Sequence, residues 1–162
     1  MWLVRRRVAD RHLFRRRGSD ALYAIDPDGV GVEQLTDGAG EEMYPAWSPD
    51  GRRLAFTAGR ANPDIYLMDA DGGNVERLTS HPGSDVAPAW SPDGSRIAFT
   101  TYRDGNTEIY TMSAEGEDVR NISLSPTYEG DPAWARPGRF RPVPRLGVVA
   151  TAWGRLRRAG LR

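Results

Sequence analysis

Short runs of alternating apolar and polar residues, separated by turn-forming clusters, fill most of this chain. In "RRLAFT", Leu54 and Phe56 share one face while Ala55 and Thr57 share the other, the two-residue period of a strand. "DIYLMD" at 64–69 and "EIYTM" at 108–112 alternate likewise and are rich in β-forming residues. "VERLT" at 75–79 alternates weakly, as suits an outer strand half in water. Between these runs, "SPDG" at 48–51 has the residues of a type I turn, with proline presetting φ at the second position. Pro49 also holds Ser48 extended, so "PAWS" should run as a strand into that turn. "GRANP", "RDGN" and "DADGGN" supply further turns, Gly105-Asn106 among them. Gly or Pro interrupts every stretch within a dozen residues, which excludes regular helices from this region. The pattern predicts an all-β chain.

The same elements recur at a fixed spacing. "PAWSPDG" occupies 45–51 and returns at 88–94, and "DPAWARPG" at 131–138 begins a third copy. Cut at Trp47, Trp90 and Trp134, the segments align Tyr23, Tyr66 and Tyr110, then Gly29, Gly72 and Gly116, then Leu35, Leu78 and Ile122. A period of 43–44 residues with four strands per repeat predicts four-stranded antiparallel β-propeller blades. Two full blades fall at about 44–80 and 87–123, with partial blade strands at 21–36 and 131–134. A closed propeller takes at least four blades, so the expectation is an incomplete, open one. It would be a fragment of a larger propeller, self-associate through exposed blade faces, or stay an open fan with those faces exposed. The repeated tryptophan has two readings, a seam filler between blades or a stacking platform for a ligand. Packing is the stronger reading for Trp47 and Trp90.

Charge divides the chain into three parts. All 22 basic residues are Arg and there is no Cys, which excludes disulfides, thiolate metal sites and a cysteine nucleophile. Residues 21–134 carry 7 Arg against 20 acids, a net −13, which argues against nucleic-acid binding by the repeats. Residues 1–20 form an Arg-rich N-terminal flank and 135–162 an Arg-rich tail. Neither flank carries the repeat's alternation. Both are expected to be foreign to the propeller, consistent with out-of-frame translation, and to pack loosely apart from "GVVATAW". Leu146, Val149, Trp153 and Leu156 could form a helical stripe, but Gly147, Gly154 and Gly160 weaken it, which argues against membrane association. The N-terminus has no apolar h-region of a signal peptide.

Candidate chemistry is sparse. His12 lies in the basic flank and His81 in a turn, and no G-x-S-x-G elbow occurs. "DPDG" at 26–29 and "DADGGN" at 69–74 resemble the opening of a calcium loop, yet neither has both the glycine and the distal glutamate that such a loop needs. Asp-Gly at a hairpin tip serves the turn without metal. No catalytic, cofactor-binding or metal-binding residue is assigned, and the chain is not expected to be an enzyme.

Across 21–134, "PAWSPDGRRLAF…DIYLMDADGGNVERLT", the strand "IAF", the hairpin "RDGNTEIY" and the terminal "RLT" resemble the repeat of TolB-type, WD-repeat-like β-propellers. The resemblance implies a propeller of about six blades that binds a protein or peptide partner without catalysis, and a periplasmic or extracytoplasmic setting. It also implies an alternative, the propeller portion of a prolyl-oligopeptidase-like serine peptidase lacking its catalytic domain.

Overall fold

The computed structural model describes residues 11–16, 19–124 and 127–134, and among them every regular element is a strand. The first sheet contains β1 (His12–Arg15), β2 (Leu22–Ile25) and β3 (Glu33–Gln34). The second contains β4 (Met43–Trp47), β5 (Arg53–Ala58), β6 (Asp64–Asp69) and β7 (Glu76–Arg77). The third contains β8 (Asp85–Trp90), β9 (Arg96–Thr101), β10 (Glu108–Ser113) and β11 (Arg120–Asn121). Each sheet is an antiparallel meander in chain order. The second and third sheets are complete propeller blades, and the first supplies three strands of another.

Alternation along the strands explains how the blades stack. In the second blade Leu54, Phe56, Ala58 and Met68 face the first sheet, where Leu22, Ala24 and Leu35 meet them. From its other face Ala55, Ile65 and Leu67 meet Trp90, Ile97, Phe99 and Met112 of the third blade. A sheet buried on both faces must be apolar on both, and β5 is buried at every position after Arg53. The hydrophobic effect therefore acts between blades rather than inside any one of them.

The SPDG turns are tied more tightly than backbone geometry requires. Gly51 N–H donates to the Ser48 carbonyl at 2.8 Å, and Gly94 N–H to that of Ser91 at 2.9 Å. In the later copy the Ser91 hydroxyl donates to Asp93 Oδ1 at 2.6 Å and accepts from Arg96 N–H at 3.0 Å. Asp93 Oδ1 also accepts from the Ser95 N–H at 3.1 Å. Led by the Ser91 hydrogen bond, these donors hold the Asp93 carboxyl down at about 2. The Ser48 hydroxyl likewise leads in lowering Asp50.

A pH dependence follows with a definite sign. The folded value lies below the ordinary 3.8, so the Asp93 contribution is complete above that value and is lost as pH falls from there toward about 2. Denaturant melts at about pH 5 and about pH 2.5 should show a smaller acid loss for Asp93→Asn than for the wild type. Equal losses would show that the carboxylate contributes nothing.

The N-terminal flank requires a correction. Residues 1–20 were expected to lie outside the propeller and to pack loosely, but His12–Arg15 is a ladder strand of the first sheet, pairing Leu13 with Ala24 and Phe14 with Tyr23. Phe14 stacks on Tyr23 at 5.6 Å, the counterpart of Phe56 on Tyr66 at 5.7 Å and Phe99 near Tyr110 at 6.1 Å. Arg11 reaches Asp26 at 3.1 Å and Glu33 at 2.8 Å. The flank's arginines obscured a strand that is in phase with the repeat. Residues 1–10 and the tail 135–162, including "GVVATAW" and its helical stripe, lie outside the described residues.

Candidate binding face at the ends of the innermost strands

β4, β8 and the segment 131–134 are the equivalent innermost pieces of successive repeats. At their C-terminal ends each indole N–H donates to the unit before it: Trp47 to the Arg11 carbonyl at 3.1 Å, Trp90 to Ala46 at 3.0 Å and Trp134 to Ala89 at 2.9 Å. Trp90 is only 8% exposed, and the Arg53 guanidinium lies 5.0 Å above its ring. A buried indole must place both its ring and its N–H, and the seam provides for both. The tryptophans also line an open groove of about 890 Å³ together with the prolines beside them.

The opposite ends of these strands depart from regular pairing. Registers shift between Met43 and Ala46 and again between Val86 and Ala89. Three residues before each tryptophan the backbone turns left-handed, with φ 50° at Tyr44, 55° at Ala87 and 51° at Asp131. Non-glycine residues seldom adopt that conformation, so its return in every repeat marks a built feature, a β-bulge at Tyr44 and at Ala87. Ala87 N–H donates to the Thr57 hydroxyl and Asp131 N–H to the Thr100 hydroxyl, both at 3.2 Å, clipping each bulge to the preceding blade. Around the bulges Tyr44, Tyr102, Tyr128, Glu129 and Asp131 line a second groove, of about 330 Å³. Its three tyrosines are 53%, 52% and 80% exposed, and together they present aromatic surface to solvent.

A buried polar network fixes the loop that carries Tyr102. Asp85, at the start of β8, is fully buried. It accepts from the Thr101 hydroxyl at 2.5 Å and from Arg103 Nη2 at 2.9 and 3.1 Å. The Arg103 guanidinium also stacks 4.6 Å from the Tyr110 ring and 5.6 Å from Phe99. In the preceding blade Ala58 and Arg60 take the places of Thr101 and Arg103, and Arg60 turns to Asp20 at 2.8 Å. Glu42, in Asp85's place, is buried there with Oε2 lacking a hydrogen-bond partner.

The residues weighed from sequence serve local structure. His81 Nδ1 accepts from Gly83 N–H at 3.0 Å within its turn, and the His81 carbonyl accepts from the Asn62 side chain in the preceding hairpin loop at 2.8 Å. Asp26 pairs with Arg11. Asp69 accepts from Asn74 at 2.6 Å and Asp71 from Gly73 N–H at 3.0 Å, so these carboxylates are engaged in their own hairpins. His12 lies in β1, away from His81. The bulges and exposed tyrosines escaped sequence reasoning. One signal was present: "PAW" repeats faithfully while the position before it reads Tyr, Ala and Asp.

Stacked four-stranded meanders, an innermost strand in each, and a 43–44-residue repeat define a β-propeller of repeated blades. The chain belongs to the TolB β-propeller domain family, whose model matches residues 33–141. A solved structure from Agrobacterium tumefaciens assigned as TolB is 28% identical, with a TM-score of 0.62 over 68% of this chain and 43% of that one. A TolB homologue of Chlorobium chlorochromatii is 38% identical over 47 residues, 29% of this chain and 11% of the relative. A puromycin hydrolase structure, 22% identical with a TM-score of 0.53 over 62% of this chain and 18% of that one, shares the fold alone. The chain thus spans less than half the length of each of these proteins.

Proposed function

We propose that this chain is the non-catalytic, partner-binding portion of a TolB-like propeller, and that it holds an extended peptide segment of a protein in the tyrosine-lined groove. The observation that carries this reading is the repeated left-handed backbone at Tyr44, Ala87 and Asp131. A frame held constant while one presented residue varies is what a platform needs to contact successive parts of a ligand. Strained backbone also clusters at ligand-contacting positions. Tyrosine suits such a surface, because its ring offers apolar area and its hydroxyl a hydrogen bond with few rotors to freeze. The alternative, a propeller gating a peptidase, draws only on the shared fold.

Panning a random-peptide display library on the intact chain tests the reading. Enriched peptides should bind the double variant Tyr44→Ala/Tyr102→Ala about tenfold more weakly or worse, as expected for aromatic hot spots. Both rings are exposed, so the variant's far-UV spectrum should match the wild type. Undiminished binding by the variant, or no enrichment at all, would overturn the proposal.

A further inference from the structure

We infer that the segment held in this groove is basic, and that an arginine side chain is its anchor. This rests on the peptide-binding reading above and specifies the partner's chemistry. Glu129 and Asp131 line the groove, and neither forms an ion pair with a described residue. Glu129 Oε1 accepts from the Thr127 hydroxyl at 3.2 Å, and no described arginine neutralises its charge. Two buried carboxylates elsewhere in the chain are paired with arginine, Asp85 with Arg103 at 2.9 Å and Asp64 with Arg77 at 2.6 Å.

The tyrosines add a second preference. A cation is drawn to the face of an aromatic ring, and a planar guanidinium also stacks there while its N–H groups fork toward a carboxylate. The chain makes this contact internally: Arg103 lies 4.6 Å from the Tyr110 ring and Arg16 lies 5.0 Å from that of Tyr23. The groove offers the same two partners, exposed tyrosines beside carboxylates that pair with no described arginine.

The test uses fluorescein-labelled Gly-Arg-Gly-Arg-Gly-Arg-Gly and its glutamate counterpart, read by anisotropy against the full chain. The arginine peptide should bind and the glutamate peptide should not. Glu129→Gln/Asp131→Asn should weaken the arginine peptide by about tenfold, while Glu76→Gln/Glu117→Gln, on exposed outer positions, should change it by less than about twofold. Equal losses in the two double variants would reveal bulk attraction and overturn the inference. So would display-selected peptides that bind through Tyr44 and Tyr102 without basic residues, a result that leaves the peptide-binding reading standing. If no peptide of either kind binds, both proposals fall.

Discussion

Trp90→Ala should destabilise the chain by about 3–5 kcal/mol, the range for truncating a buried aromatic side chain. The ring lies in the seam where Ala55, Ile65 and Leu67 of one blade meet Ile97, Phe99 and Met112 of the next. Removing it opens a cavity at the contact on which blade stacking depends, and leaves the Ala46 carbonyl without its indole donor. Trp90→Phe separates these contributions. It keeps most of the apolar bulk and loses the hydrogen bond, so its cost should be about 1–2 kcal/mol. Urea melts of the three proteins check both values. A loss below about 1 kcal/mol for the alanine variant would mean that the seam does not depend on this ring.

Arg103→Ala should cost a comparable amount, about 3 kcal/mol or somewhat more. Asp85 is fully buried and would be left with the Thr101 hydroxyl but no counter-charge. Stranding a buried carboxylate is far more costly than the net worth of the pair. The second variant follows from that asymmetry: Asp85→Asn added to Arg103→Ala should recover part of the loss, because the uncompensated charge is gone. A double variant as unstable as the sum of its parts would show that Arg103 acts through packing on Tyr110 and Phe99 instead.

These two residues show how far sequence reasoning reaches. The tryptophan could be placed because it recurs in phase with SPDG, and a large ring at a fixed repeat position has to pack against the next repeat. The Asp85–Arg103 pair left no such trace, since the equivalent positions read Glu42 and Arg60 and make different contacts. The strand at His12–Arg15 was obscured by its arginines, although Phe14 holds the same stacking position as Phe56 and Phe99. Composition misleads there because β1 packs only Leu13 against the seam and stacks Phe14 on Tyr23, while Arg11 joins Asp26 and Glu33 at its edge.

The binding face was the least legible part. A left-handed bulge is usually announced by glycine, and here the positions are occupied by Tyr, Ala and Asp. What holds Ala87 and Asp131 is a hydroxyl from the preceding blade, Thr57 or Thr100, more than two dozen residues earlier in the chain. Local propensity contains no information about such a contact. Tyr102 and Tyr128 lie far from Tyr44 in sequence, and only the stacking of the blades brings the three to one groove.

Amide and indole NMR shift mapping on the full chain, titrated with the arginine peptide, tests the central claim most directly. Binding at the bulged ends of the innermost strands should move the amides of Tyr44, Ala87, Tyr102 and Glu129–Asp131, and leave the indole signals of Trp47, Trp90 and Trp134 in place. Shifts concentrated on those three indoles would put the ligand in the tryptophan–proline groove at the other end of the strands and contradict the account.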